Sequence, residues 1–360
     1  MFSCRSLTIS NKSDNLKLDK IIRNKPGPHE VLVMVYFTGI SRYDLHKINN
    51  DWSDSTYPLV PGMELIGIVN SIGSEVEKIE ELDLVLVGNL VNSCKNCFNC
   101  LNNKENNCEK GAINIYDDKN KYINVPDYAK FTNGGFSQIL TVDENFLIKV
   151  PDFKLGLELP RLVPLASSGL AIYSPLKKHF KIGNKVGILG FGGLGHLAVK
   201  IANEMGGDVN VFSTTESKRN IALYEFFVNS FFNVNNDDFS YEKNSYDIIL
   251  DTIPEDHDIS RYVDLLNENG KLILLGLPKE DVILRNSKFE LGRKQIIKSY
   301  LGSMDELKEL LNLCIDKGIY ADVEIVNYDG VNNCFQNIEN NNAKFKYIFD
   351  VTSLQLIPED

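Results

Sequence analysis

Lys185-Val186-Gly187-Ile188-Leu189-Gly190-Phe191-Gly192-Gly193-Leu194-Gly195 is a short apolar run that breaks into a glycine-rich turn. Its last six residues have the spacing G-x-G-x-x-G, which alone is a weak signal. The surroundings give it meaning. Residues 196–205 carry Leu197, Val199, Ile201 and Ala202 on a helical pattern, and 208–212 read as a second strand. Strand, glycine turn, helix and strand in that order make the dinucleotide-binding half of a doubly wound fold. The glycines permit a tight turn and let a pyrophosphate approach the backbone. The helix N-terminus then offers unpaired N–H groups and the positive end of its dipole. The competing reading is a glycine-rich turn that serves packing only.

Outward from this turn the chain keeps two characters. Residues 245–251 and 270–276 read as further apolar strands, and alternation of strands and helices predicts a parallel sheet. Upstream, strand-like runs at 30–36, 64–72, 83–87 and 136–142 are separated by Gly, Pro, Asn and Asp clusters, which predicts a β-rich domain. We expect an α/β protein with a β-rich domain over 1–155, a Rossmann domain with a doubly wound parallel sheet over 156–297, and a return segment over 298–360 that completes the first domain.

The end of the second strand selects the dinucleotide. An NAD-binding half usually places an acidic residue there for the ribose 2′-hydroxyl. Here Ser213-Thr214-Thr215 is followed by Glu216, Ser217, Lys218 and Arg219. Hydroxyls and cations suit a 2′-phosphate that a carboxylate at Ser213 would repel, so the cofactor expected is NADP(H). Lys218 and Arg219 could also simply begin a solvated helix.

Cys94, Cys97, Cys100 and Cys108 have the spacing C-x2-C-x2-C-x7-C within a polar, Asn-rich loop. Four thiolates so placed close a tetrahedral shell around one Zn²⁺ with no position left open, which makes it a structural zinc. The alternative is a chance cluster of free thiols. Cysteines grouped as metal ligands fit a reducing, cytoplasmic setting. The net charge of −11 argues against nucleic acid or an acidic membrane as partner. No apolar run of about 18 residues is present to span a membrane.

The chain resembles the zinc-containing medium-chain alcohol dehydrogenases, in particular the cinnamyl alcohol dehydrogenase branch. The likeness runs from about residue 30 to 352. It is carried by Tyr57-Pro58-Leu59-Val60-Pro61-Gly62, the four-cysteine loop, Asn133-Gly134-Gly135-Phe136-Ser137 and Tyr173-Ser174-Pro175-Leu176-Lys177. It continues through the glycine turn with His196, Ser213 to Lys218, Asp251-Thr252, Gly292-Arg293-Lys294 and Leu301-Gly302-Ser303-Met304. The resemblance implies a GroES-like β domain that carries the active site, a Rossmann domain and a homodimer. It implies cofactor contacts from Arg42, Gly190, Gly192, Gly193, Leu194 and Ser213, and from Thr214, Thr215, Lys218, Thr252, Gly276 and Ser299.

The active site departs from the family. Members hold a second, catalytic zinc through a Cys in Cys-His-Thr/Ser-Asp, a His in Gly-His-Glu and a Cys in Leu-Cys-Ala-Gly. The matching positions here are Ser41, Met63 and Ser167, and only Glu64 remains as a metal-capable group. A serine hydroxyl stays protonated near neutral pH and a thioether is uncharged and soft, so we expect no catalytic zinc. Tyr43 stands where the family has a proton-passing Thr or Ser. It reads either as a proton donor or as an aromatic filling space left by the metal. Trp52 and Tyr300 match substrate-lining aromatics, and with Met63 and Ser167 they suggest a planar small-molecule substrate or plain packing.

A metal makes alcohol oxidation feasible by stabilising the alkoxide, and without it that reaction should be very slow at neutral pH, whereas an electrophilic C=N or conjugated C=C accepts hydride without one. The expected activity is therefore an NADPH-dependent reduction of such a bond, with Tyr43 or Glu64 as proton donor and Ser41 nearby. Two alternatives stay open: an NADP-dependent alcohol/aldehyde dehydrogenase, and a non-catalytic NADPH-binding protein.

Overall fold

The computed structural model describes residues 1–122, 126, 130–151, 158–276, 292–299 and 301–356. Contacts divide the chain into two units: Met1–Ser167 with Gly302–Cys314 and Tyr320–Asp360, and Ser168–Leu301 with Ile315–Ile319. The first unit opens with β1 (Phe2–Thr8), β2 (Lys17–Arg23), β3 (Glu30–Ile40), α1 (Arg42–Ile48), β4 (Leu65–Ile72) and β5 (Leu84–Val87). It continues with β6 (Leu90–Asn92), α2 (Phe98–Leu101), β7 (Ile113–Asn114), β8 (Ile139–Asp143), β9 (Leu147–Lys149) and α3 (Leu159–Leu162). The second unit carries α4 (Ser168–His179), β10 (Lys185–Leu189), α5 (Gly195–Glu204), β11 (Asp208–Ser213) and α6 (Arg219–Tyr224). It goes on with β12 (Ser230–Asn233), β13 (Tyr246–Asp251), α7 (Ser260–Val263), β14 (Leu266–Leu274) and β15 (Gln295–Lys298). The chain returns through α8 (Met304–Lys317), β16 (Val323–Val326), α9 (Val331–Glu339) and β17 (Lys346–Asp350).

The second unit is built on a six-stranded sheet in the order β12-β11-β10-β13-β14-β15, parallel throughout. Val186, Ile188, Val209, Val211, Ile249 and Leu272 are fully buried, as strands covered on both faces require. Strand order reverses between β10 and β13. Ligands of open α/β sheets bind outside the carboxyl ends of the strands at such a switch point. Both the glycine turn after β10 and Thr252 after β13 lie there.

The first unit centres on a seven-stranded sheet in the order β16-β17-β3-β4-β5-β9, with β8 also paired to β3. β3 runs four residues past the expected 30–36, because Phe37 to Ile40 pair with Asp350 to Tyr347 of β17. That partner comes from the far end of the chain, so no local signal announces the extension. Phe136 anchors the core, with its ring 5.5 Å from Phe349 and 6.2 Å from Phe335. No described helix is long and apolar enough to cross a membrane.

Candidate active site, cofactor site and zinc loop

Three glycines of the turn after β10 have three different surroundings. Gly190 has φ +85°, a conformation that side chains resist, and a Cβ there would lie 3.0 Å from Thr252 Oγ1. On Gly195, a Cβ would come within 2.1 Å of the Gly190 carbonyl, so the start of α5 packs directly on the strand end. By contrast, a Cβ on Gly192 would meet no protein atom within 4 Å. Nothing inside the protein demands glycine there, and the open space leaves room for a ligand phosphate to approach the backbone. The residues therefore fit a dinucleotide pyrophosphate. Thr252 braces the same turn, its hydroxyl donating to the Leu189 carbonyl at 2.7 Å and its N–H at 3.0 Å. Gly276 is closely packed, since a Cβ there would fall 1.9 Å from the Ile253 carbonyl. Ser299 N donates to the Leu274 carbonyl at 3.2 Å, at the end of β14. Gly193 and Leu194 lie in the turn itself, half-buried.

Ser213 ends β11 with its side chain buried, and its Oγ accepts the N–H of Thr215 at 3.2 Å. Thr214 and Thr215 are exposed. Lys218 reaches back over the glycine turn, where its Nζ donates to the Phe191 carbonyl at 2.9 Å. Arg219 is used differently. It is bound to Glu216 and, at 2.7 Å, to Asp237 and the Phe231 carbonyl. Of the two cations in the motif, Lys218 is thus placed beside the turn and Arg219 is bound up in a surface network.

In the first unit, α1 organises the substituted metal positions. Ser41 is its N-cap in a capping box: Ser41 Oγ accepts from Asp44 N, and Asp44 accepts from Ser41 N at 2.9 Å. The Ser41 hydroxyl donates to Asp44 Oδ2 at 2.5 Å and lies 3.6 Å from Met63 Sδ. Ser41 and Met63 are therefore brought together, and the serine proton is already committed. Asp44 is fully buried and accepts also from Gly62 N and the Tyr116 hydroxyl, at 3.0 and 2.8 Å. Burial pushes its pKa up while these four donors oppose that rise.

Glu64, the one metal-capable group left, is fully buried and forms an ion pair with Lys346 Nζ of β17 at 2.9 Å. A buried carboxylate beside an ammonium is an acceptor with its charge balanced, which argues against Glu64 as a proton donor. Ser167 sits buried at the end of a 3-10 turn, Val163–Ala166, that packs on β3, β4 and β5. Arg42 Nη2 donates to Asn341 Oδ1 at 2.7 Å and to the Ile338 carbonyl, so it is anchored on the end of α9.

Tyr43 lies in an aromatic cluster, its ring 5.4 Å from Trp52 and 6.1 Å from Tyr116. Burial pushes its phenol up to about 12; the Lys47 charge opposes this, while Asp54, Asp44 and Asp117 add to it. Tyr300 lies outside the described residues. Sequence reading missed Lys47, which is one helical turn after Tyr43, almost buried, and held by Asp54 and Asp117 at 3.0 Å each. The i, i+4 spacing was its available signal. Lys346 was missed as well, and no local pattern could have paired it with Glu64.

The four loop cysteines converge, with all four Sγ atoms within 4.8 Å of one another and Cys94 and Cys100 3.9 Å apart. A tetrahedral shell with Zn–S bonds near 2.3 Å has S–S edges of about 3.8 Å. The set fits one structural Zn²⁺. Among the described residues it is the one group of three or more His, Cys, Asp or Glu side chains that could hold a metal ion.

The chain thus carries a parallel-sheet unit with a glycine turn suited to a dinucleotide, and a β-rich unit with a four-thiolate loop. Two family models match: the alcohol dehydrogenase GroES-like domain over 27–152 and the zinc-binding dehydrogenase domain over 193–316. A probable cinnamyl alcohol dehydrogenase of Nicotiana tabacum is 38% identical over 334 residues, covering 92% of this chain and 90% of that protein. NADP-dependent alcohol dehydrogenase C of Mycobacterium bovis is 33% identical, covering 93% and 94%. Among solved structures, a cinnamyl alcohol dehydrogenase of Sorghum bicolor superposes with TM-score 0.91 at 30% identity over 98% of each chain. The Helicobacter pylori CAD complexed with NADP(H) gives 0.89 at 32% identity, covering 97% of this chain and 98% of that one. The chain belongs to the medium-chain, zinc-type alcohol dehydrogenase family and is related to the cinnamyl alcohol dehydrogenases within it. It is an oxidoreductase, which sets aside the non-catalytic alternative.

Proposed function

We propose that this chain is an NADPH-dependent reductase that works without a catalytic zinc on an activated C=N or conjugated C=C bond. The observation that carries the reading is what occupies the family's metal positions. Ser41 is bound to Asp44 and Met63, and Glu64 is paired with Lys346. Two hydroxyls, a thioether and an already paired carboxylate do not hold Zn²⁺ against cellular competition. When bound, NADPH supplies a hydride. The chain's own part is to hold the acceptor and deliver a proton, for which Tyr43 is the available phenol. With a strongly raised pKa the phenol stays protonated at working pH. Trp52 beside it suits a planar substrate.

NADP(H) is supported by Ser213 and Lys218 and by the cofactor named for the Helicobacter pylori and Mycobacterium bovis relatives. If those residues grip the 2′-phosphate, NADPH binds at least about tenfold more tightly than NADH, from charge-assisted hydrogen bonds of about 1.5–3 kcal/mol. Ser213→Asp is expected to weaken NADPH by repulsion and improve NADH. Titrating both cofactors into parent and variant checks this, and equal affinities in the parent would sink the assignment. A homodimer in the cytoplasm belongs to the same reading, and four cysteines grouped as metal ligands agree with a reducing setting.

The names of the relatives favour a second reading, an NADP-dependent alcohol/aldehyde dehydrogenase of cinnamyl alcohol dehydrogenase type. In it the carbonyl would be polarised by Tyr43 alone, since the Ser41 proton goes to Asp44. The two readings separate in one experiment: NADPH consumption with a cyclic iminium, a conjugated enone and an aromatic aldehyde, on protein of measured zinc content. We expect one zinc per chain, with the iminium or enone consumed fastest. Two tightly bound zincs, or aldehyde turnover on the order of 10 s⁻¹ with the others inert, would return the second reading.

A further inference from the structure

His257 belongs to none of the contacts described so far, yet both its ring nitrogens face acceptors. Nδ1 lies 2.8 Å from the Glu255 carbonyl, and Nε2 lies 3.1 Å from Asp251 Oδ2. The second is a charge contact rather than an aligned hydrogen bond. A neutral imidazole has a single N–H and must turn a lone pair toward one of these oxygens, so only the imidazolium suits both. The His257 side chain is 20% exposed and that of Asp251 3%, which leaves the pair sheltered but reachable by protons.

Asp251 ends β13 and holds the turn that follows it. Its Oδ1 accepts from Ile253 N at 3.0 Å, and its carbonyl accepts from Leu275 N and Gly276 N at 2.8 and 2.9 Å. Ile253 is the residue packed against Gly276, and Thr252 is the one bound to Leu189 at the start of the glycine turn. The Asp251 carboxylate therefore holds Ile253, the residue packed against Gly276, while the Asp251 backbone carbonyl holds Gly276 itself.

We propose that His257, as an imidazolium, is a positioning residue for NADPH: paired with Asp251 it fixes the 252–253 turn against Gly190 and Gly276, and loss of its proton loosens the cofactor site. This rests on the cofactor reading above. Burial disfavours the charged ring, but Asp251, the Glu255 carbonyl and Asp256 outweigh it and raise the pKa. Of the other groups around the ring, Tyr262 of α7 presents its ring edge 6.5 Å away, and Asp258 on the same loop caps Ser260 N at 2.9 Å. The Arg261 guanidinium is stacked on the same Tyr262 ring, 5.3 Å from its centroid. The clamp is complete below the raised pKa and is lost as pH rises through it.

The test is NADPH affinity of the full chain between pH 6.5 and 9, by cofactor fluorescence, for the parent, His257→Gln and His257→Arg. Ionisation of the 2′-phosphate is common to all three and cancels in their ratios. The parent is expected to bind on the order of threefold tighter than His257→Gln at the acid end, with the two converging at the alkaline end. His257→Arg, whose charge does not titrate, should keep its advantage over His257→Gln across the range. A parent-to-Gln ratio of one, or one that does not change with pH, overturns the proposal. A parent that binds no NADPH at any pH overturns the cofactor reading and this inference with it.

Discussion

Tyr43→Phe is expected to lower turnover by about 10²-fold or more while leaving NADPH affinity unchanged. The substitution keeps the ring between Trp52 and Tyr116, where the centroid distances are 5.4 and 6.1 Å, and removes only the donor. A packing role would predict little change. The pH dependence carries its own sign. The phenol is pushed up to about 12, chiefly by burial, so it remains protonated between pH 6 and 9 and its ionisation should not limit reduction there. Any acid or neutral limb in the profile then belongs to another group. Glu64→Gln is the companion variant. Because Glu64 pairs with Lys346 in the interior, its loss should appear mainly in stability, as a buried ammonium left without its counter-charge. If both variants turned over at the parental rate, protein-assisted protonation would be wrong. Iminium reduction, which needs no proton, would become the leading reaction.

Cys100→Ser should strip or weaken the loop zinc and destabilise the fold by on the order of 4 kcal/mol or more, the range in which loss of a bound metal falls among single substitutions. For a domain of this size that corresponds to a fall in Tm of roughly 10 °C. The reason is geometric. The four Sγ atoms already lie within 4.8 Å of one another, so bonds to one ion replace the mutual repulsion of crowded thiolates. Removing one sulfur opens the shell to water. Parent protein treated with a strong chelator should melt like the variant, and zinc restores the parent only. A Cys100→Ser protein that melts with the parent and retains its metal would refute the structural role. Both outcomes are independent of turnover, because a closed four-sulfur shell has no position for substrate.

Much of this molecule was legible in its amino-acid order, for an identifiable reason. The glycine turn, the strands on either side of it and the cysteine spacing are local patterns. Backbone conformation at Gly190 and the reach of a fifteen-residue loop around one ion depend on near neighbours in sequence. The absence of thiol and imidazole at positions 41, 63 and 167 is likewise plain from residue identity alone. What replaced them was not. The Ser41 cap and its bond to Asp44 are local to α1, but the approach of the Ser41 hydroxyl to Met63 emerges only when the segment leading into β4 folds against α1. The ion pair of Glu64 with Lys346 joins residues from opposite ends of the chain, and so does the extension of β3 along β17. Arg42 and Arg219 each had charge suited to a phosphate, yet tertiary structure binds one to the end of α9 and the other to Asp237. Composition and spacing identify which groups can donate, accept or ligate. Which partner each one takes is decided by long-range packing, because burial makes an unpaired polar group costly and the nearest complementary group in space wins.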